Sequence, residues 1–147
     1  MTLLEEQARA LADAIDAVLP DWVERCVRSR LNEPVPDDVV VASRTAGEQA
    51  RLDVGGAVRR LLEADVDDQR GNPLALLRGA VRYPTEVLRA AGAPAVDRDR
   101  FSTDRFPDDD YDLTPANWSD IDPSLLDLGI AWGAAKAFVH RQRHRST

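Results

Sequence analysis

The sequence has little cysteine, little lysine and few aromatic residues. Its single cysteine, Cys26, excludes an internal disulfide framework and favours a reducing compartment. Because Cys26 falls at an apolar position of a helical pattern, we expect its thiol to be buried and inert. Aromatic residues make up only 5% of the chain, so the core should consist mostly of alanine, leucine and valine. One lysine stands against eighteen arginines, a ratio typical of a GC-rich genome, and we interpret the chain as bacterial.

Long hydrophobic runs are also missing. The longest apolar-rich segment, 125–139, contains Asp127 and Lys136 and is too short to span a bilayer. Near the N-terminus, Glu5 and Glu6 stand where a secretory leader would carry positive charge followed by an apolar stretch. These features predict a cytoplasmic protein that has no membrane partner.

The remaining composition is that of an ordinary globular chain. With 147 residues, of which 44% are hydrophobic and 31% charged, we expect a single domain over residues 1–147. The net charge of −7 repels nucleic acid, so the many arginines do not by themselves indicate a nucleic-acid partner.

Hydrophobic residues recur at helical spacing, and no stretch alternates as a strand would. The first helix should be capped by Thr2 and should stop or kink at Pro20, with a short second helix from Asp21. A long third helix should start near position 37. Its Gly55–Gly56 pair predicts either a bend or a close contact with a neighbour.

The second half of the chain predicts two more helices. Asn72 and Pro73 are typical of a helix start, and Pro84 should kink or divide the helix that follows. Asp122 should cap the last helix, which runs to about Arg143. We therefore predict an all-α, single-domain bundle of about five helices.

Between these two helices lies a long acidic segment, 94–121. From position 97 to position 122 the chain holds nine acidic residues and three arginines. Phe106 and Tyr111 flank the densest cluster and argue against disorder, so we expect an ordered loop with a helical turn near 115–119. The C-terminal tail, 140–147, is basic by contrast.

The aspartates of this loop are the leading candidates for a binding site. We expect them to attract a cationic protein partner, or else to clasp the basic tail of the same chain. A metal site is the weaker alternative, because the pattern lacks the glycine and the glutamate of a calcium-binding loop. The predicted binding residues are Asp108, Asp109, Asp110, Tyr111 and Asp112 in the loop, and Arg141 and Arg143 in the tail.

Other chemically active groups favour structural roles. Asp65, Asp67 and Asp68 would give a carboxylate face of the sort used by all-α nucleotide pyrophosphohydrolases, but the paired glutamate motif of those enzymes is missing. His140 and His144 share a helical face, yet the arginines around them favour helix capping over metal binding. No arrangement is typical of a nucleophilic triad, so we predict no catalytic residue and no cofactor.

Two apolar stripes run along the last helix. Together they place this helix at the centre of the bundle; alternatively, one stripe is a homodimer face. The first stripe consists of Gly129, Gly133 and Ala137, and the second of Leu128, Trp132, Ala135 and Val139.

Three hypotheses for function follow from these observations. The leading one is a non-enzymatic binding or adaptor protein that acts through the acidic loop. The second is a small hydrolase that depends on a divalent metal held by the clustered aspartates. The third is a nucleic-acid-associated regulator that uses Arg141, Arg143 and Arg145, although the sequence has no basic recognition helix.

Overall fold

The computed structural model describes residues 2–32, 34–64 and 72–145, and every regular element in these ranges is helical. The prediction of an all-α protein is confirmed. If helical segments that follow one another without a break are counted as one, these ranges hold six helices. Within the same ranges, no helix has both the length and the apolar character that crossing a membrane requires. The segments are α1 (Leu3–Ser29), α2 (Asp37–Ala50), a π-helical turn (Arg51–Gly55), α3 (Gly56–Glu63), α4 (Pro73–Arg78), a 3₁₀ segment (Gly79–Val81), α5 (Arg82–Ala90), α6 (Arg100–Arg105), α7 (Trp118–Ile121) and α8 (Ser124–Arg143).

Two predicted helix starts are confirmed by hydrogen bonds at their caps. At the start of α1, Thr2 Oγ1 accepts from the Glu5 N–H at 3.1 Å, while the Glu5 carboxylate accepts from the Thr2 N–H at 3.3 Å. At the start of α4, the Asn72 side chain accepts from the Leu74 N–H at 2.9 Å, and Pro73 is the first helical residue. These bonds satisfy backbone donors that a helix terminus leaves without partners.

α1 continues through Pro20, so of the two predicted alternatives, a stop or a kink, the stop is wrong, and the short helix predicted from Asp21 is part of α1. Proline removes a helical hydrogen bond and costs about 3 kcal/mol in a helix interior. The burial of nine α1 residues on both sides of Pro20 offsets this cost. α2 approaches α1 closely at this point. Gly47 of α2 lies so near that a Cβ atom on it would be 2.9 Å from the Pro20 backbone.

The long helix predicted from position 37 is formed by α2, the π-helical turn and α3. The turn ends at Gly55, where a Cβ atom would lie 2.7 Å from Asp16 Oδ1, and this is the close contact that the glycine pair predicted. Hydrogen bonds in a π turn span one residue more than in an α turn, so the buried face of the helix is rotated after the turn. The residues that α3 buries after this turn are Val58 and Leu62.

The helix predicted after Pro73 is divided close to Pro84. The 3₁₀ segment separates α4 from α5, and Pro84 lies in the first turn of α5. Proline has no N–H to offer the carbonyl group four residues earlier. That carbonyl belongs to Ala80, which lies inside the 3₁₀ segment, so the change of helix type occurs where the α-helical bond is missing.

α1 forms the centre of the fold. It packs against α2, α3, α5 and α8, and it supplies much of the main hydrophobic cluster. The prediction that the last helix lies at the centre is wrong, because α8 covers one side of α1 and leaves its own outer side exposed. The residues that α8 buries are Leu125, Gly129, Trp132 and Ala135.

Segment 94–121 is not a loop throughout. Asp99 accepts from the Ser102 N–H at 2.7 Å and caps α6, a helix that the sequence pattern did not predict. Phe101 on α6 is 68% exposed, so this helix is not held by its aromatic side chain. α7 lies close to the predicted turn at 115–119, and its Ile121 is fully buried in the main cluster.

α8 begins one residue later than the sequence pattern indicated. Asp122 has extended backbone angles, and its Oδ1 accepts from the Ser124 N–H at 3.0 Å and from the Ser124 hydroxyl at 2.7 Å. The carboxylate therefore caps the first turn of α8, as predicted, across the intervening Pro123.

Candidate functional site

Asp109, in the middle of the predicted binding cluster, is buried within the chain. Its side chain is 2% exposed, and its Oδ2 accepts from the Leu113 N–H at 2.8 Å, from the Thr114 N–H at 2.8 Å and from the Thr114 hydroxyl at 2.7 Å. These bonds satisfy backbone donors of the tight turn that follows Asp109. In this conformation the carboxylate is not available to a partner.

Tyr111 anchors the acidic segment to the helices. It is 2% exposed, its hydroxyl donates to the Ala93 carbonyl at 2.8 Å, and its own carbonyl accepts from Arg30 Nε at 3.0 Å. Phe106, the other flanking residue, is only partly buried. The residue after Tyr111, Asp112, has a φ of 55°, in the left-handed region that aspartate tolerates better than most residues.

Asp110 has an ion-pair partner on α5. Arg89 Nε donates to Asp110 Oδ2 at 2.7 Å, and the Arg89 guanidinium also donates to the Asp108 carbonyl at 3.1 Å. The hydrogen bond that Arg89 donates to Asp110 raises the pKa of Arg89. Asp110 is therefore paired with Arg89, and not with Arg141 or Arg143 of the tail.

Two aspartates of the predicted binding cluster, Asp108 and Asp112, have exposed side chains. The residues between them are buried or paired, so the four carboxylates do not form one continuous acidic surface. Isolated exposed charges contribute little to an interaction in water. The contacts of this loop favour a structural role for most of its acidic residues.

The groups considered for metal binding are not brought together in the part of the chain that the structure describes. His140 and His144 lie on consecutive turns, with ring centroids 4.5 Å apart. Among residues 2–32, 34–64 and 72–145, no group of three or more histidine, cysteine, aspartate or glutamate side chains is placed to hold a metal ion. Asp65, Asp67 and Asp68, on which the hydrolase hypothesis partly rests, lie outside the described residues.

Cys26 is buried, as predicted. Burial raises the pKa of its thiol to about 12, although the neighbouring Arg25 acts in the opposite direction. Because the thiolate is the nucleophilic form of cysteine, this environment favours an inert side chain over a reactive one.

The outer face of α8 carries exposed residues that lie outside both predicted apolar stripes, one of which was the alternative homodimer face. Leu126, Ile130 and Phe138 are 41%, 60% and 51% exposed, and Ala134 between them is exposed as well. These residues follow one another at intervals of four, so on a helix of 3.6 residues per turn they form one continuous row. We call Leu126, Ile130, Ala134 and Phe138 the α8 outer row.

The small residues of α8 have contrasting surroundings. Gly129 is buried against α7, and a Cβ atom on it would lie 2.5 Å from the ring of Trp118. Gly133 has open space beside it, since nothing lies within 4 Å of the position of its absent Cβ atom. Ala137 is exposed. Of the three residues of this stripe, Gly129 therefore makes a close contact within the chain, whereas the other two positions leave room for a molecule outside it.

Charges of opposite sign lie at the two ends of the outer row. Asp127 is exposed near the start of α8 and Arg141 is exposed near its end. Within the described ranges, neither side chain has an ion-pair partner. Arg141 also lines a groove of about 350 Å³ together with Phe138, Gln142 and Arg145. The outer face of α8 is thus apolar along its middle, acidic at one end and basic at the other.

The sequence pattern did not predict a polar cluster beside the π-helical turn. The Tyr83 hydroxyl donates to Asp53 Oδ2 at 2.6 Å and accepts from the Arg82 guanidinium at 2.7 Å, while the Gln49 amide donates to the same Asp53 oxygen at 2.9 Å. Burial and the bond to Asp53 raise the pKa of Tyr83, and the same bond lowers the pKa of Asp53. These bonds connect α5 to the π-helical turn.

A second groove, of about 650 Å³, lies between the start of α1, the end of α3 and the end of α8. Two carboxylates in its lining already have partners. Glu5 belongs to the cap of α1, and Glu63 lies 4.0 Å from the Arg59 guanidinium. These contacts favour a structural role for both carboxylates.

Similarity to other proteins gives no further indication of function. Compared with protein-family models, with curated proteins and with solved structures, the chain matches none of them.

Proposed function

We propose that this chain is a non-enzymatic protein-binding module whose recognition surface is the α8 outer row. One observation supports this above all others: large apolar side chains stand exposed in a row on a helix whose opposite side is buried in the core. Contiguous exposed apolar surface is typical of protein-interaction sites, because soluble proteins otherwise keep such patches small.

The outer row is also carried by a firmly held element. α8 spans twenty residues, and Leu125 and Trp132 on its inner side are buried in the main cluster with α1. A binding surface on a rigid helix loses little conformational freedom when a partner binds, which favours affinity. A partner of this surface therefore meets side chains whose backbone positions are already fixed.

The acidic loop is the less favourable surface for a partner. A cationic partner at the loop remains the sequence-based hypothesis, but Asp109 and Asp110 are already engaged within the chain. Such a partner would have to rely on Asp108 and Asp112, whose charges are exposed to water. A partner that binds the outer row would bury apolar surface, whereas a partner at these two carboxylates would depend on charges that water screens.

Photo-crosslinking in cells that express the chain tests the proposal. A benzoylphenylalanine placed at Ile130 should give covalent adducts with another polypeptide on irradiation. The same residue at Val41, which is 62% exposed on α2, is the matched control and should give none. Benzoylphenylalanine at a third position, Asp108, tests whether the acidic loop contacts a partner. No adduct from position 130, or the same adducts from positions 130 and 41, would contradict the proposal, and adducts from position 108 alone would assign binding to the loop.

A further inference from the structure

We infer that the α8 outer row binds the same row of a second copy of this chain, with the two helices antiparallel and meeting at Ala134. This inference rests on the function proposed above and names the partner of that surface. The arrangement is a two-fold symmetric contact, in which the same residues of both copies face each other.

Ile130 and Phe138 of the outer row are placed symmetrically about Ala134, whereas Leu126 would face Gln142 of the second copy. Ile130 lies four residues before Ala134 and Phe138 lies four residues after it, so in an antiparallel pair each Ile130 faces Phe138 of the second copy. The two Ala134 residues meet at the centre, where small side chains let helices approach closely. Gly133, with its open surroundings, lies beside this point and leaves room for the second helix.

The charges at the ends of the row select the antiparallel direction. Asp127 and Arg141 lie seven residues before and seven residues after Ala134, a separation that keeps both on the face of the outer row. An antiparallel pair therefore places Asp127 opposite Arg141 of the second copy, and does so twice. A parallel pair would instead place Asp127 against Asp127 and Arg141 against Arg141, which like charges oppose.

The same charges explain why a second copy fits this face. A partner must offer an apolar row with a positive charge at one end and a negative charge at the other. The outer face of α8, turned around, presents that pattern, and both charged side chains lack an ion-pair partner within the described part of the chain. In the dimer, the apolar row is removed from water, and Asp127 and Arg141 each gain an ion-pair partner from the second copy.

Sedimentation equilibrium of the full chain, from low to high micromolar concentration, measures the association. We expect a monomer–dimer equilibrium with a dimer of twice the 16.2 kDa chain mass. Ile130→Arg should leave only monomer, because each dimer would bury two unpaired charges. Val41→Arg, an equally exposed substitution on α2, should associate like the unchanged chain. All the altered side chains are exposed, and far-UV dichroism with thermal melting checks that each variant keeps the native fold.

Charge reversal tests the direction and the register. Asp127→Arg alone and Arg141→Asp alone each turn both charge pairs into like-charge pairs, and each should raise the dimer dissociation constant by about tenfold. The chain that carries both changes restores opposite charges in an antiparallel dimer and should recover the original dissociation constant. In a parallel dimer, positions 127 and 141 would each face the same position of the second copy. The double variant would then keep like charges at both positions, and its dissociation constant would not fall below that of the unchanged chain.

Each contrary result has a definite meaning. A chain that stays monomeric throughout the concentration range overturns the inference, and so does a dimer that Ile130→Arg leaves intact. A dimer that is weakened by Ile130→Arg but insensitive to the charge reversals overturns the antiparallel register. If the chain is monomeric yet position 130 crosslinks to a different protein, the proposed function stands and the second copy is excluded; if position 130 gives no adduct, both proposals fail.

Discussion

Gly129 and Gly133 lie one turn apart on α8 and have opposite surroundings. Gly129→Ala should destabilise the protein by about 1–3 kcal/mol, because the added methyl group meets the Trp118 ring at 2.5 Å and forces it to move. Urea unfolding at low protein concentration gives the change in the free energy of unfolding.

Gly133→Ala is the matched control for that substitution. Its methyl group enters open space, and alanine favours a helix over glycine by about 1 kcal/mol, so this variant should be as stable as the unchanged chain or more stable. Equal losses of stability at Gly129 and Gly133 would show that Trp118 does not limit the space at Gly129.

The Cys26 thiol should resist modification while the protein is folded. Its burial and its pKa of about 12 keep the reactive thiolate scarce at neutral pH. Labelling with a disulfide reagent at about pH 8 should therefore be slow in native buffer and complete in denaturant, where the thiol has its ordinary pKa. Rapid labelling of the native protein would mean that Cys26 is accessible and that the helix face it occupies is not packed as described.

At the scale of elements, the acidic segment should depend on one buried carboxylate. Asp109→Ala should destabilise the protein by about 2–3 kcal/mol, since it leaves the donors of Leu113 and Thr114 without their acceptor. Asp108→Ala, which removes an exposed carboxylate from the same loop, should change stability little. Thermal unfolding of both variants measures the contrast, and two equally small effects would mean that the Asp109 bonds do not hold the turn.

The contact between α5 and the π-helical turn should make stability depend on alkaline pH. The pKa of Tyr83 is raised by burial and by the bond to Asp53, so folding favours the protonated hydroxyl. The stabilisation is complete below the ordinary tyrosine pKa of about 10 and is lost as the pH rises above it. Unfolding titrations of the unchanged chain and of Tyr83→Phe should therefore differ most below about pH 10 and converge above it. A difference that does not change with pH would contradict this assignment.

Helix starts could be predicted from the sequence because caps are local. Thr2, Asn72 and Asp122 each act on a backbone N–H only two or three residues away, so a short window of sequence contains the whole interaction. The passage of α1 through Pro20 could not be predicted in this way. It depends on core contacts that distant parts of the chain supply. α6 was missed because its six residues carry no buried side chain, and so no hydrophobic pattern marks it.

At the scale of the whole molecule, the sequence indicated the helical class but not the order of the layers. α8 is apolar on nearly every side, and such a pattern is equally typical of a central helix and of a helix with one side for a partner. Only the position of α1, whose residues dominate the core, decides between these alternatives. Likewise, the spacing of the loop aspartates could not reveal that Asp109 turns inwards and that Asp110 meets Arg89.

The relative importance of the outer row and the acidic loop for association can be measured in one experiment. Sedimentation equilibrium would compare the unchanged chain, Ile130→Arg, and a chain that carries both Asp108→Asn and Asp112→Asn. If the α8 outer row is the recognition surface, the loop variant should associate like the unchanged chain, while Ile130→Arg should remain monomeric. Loss of association in the loop variant, with normal association of Ile130→Arg, would contradict the assignment of binding to α8.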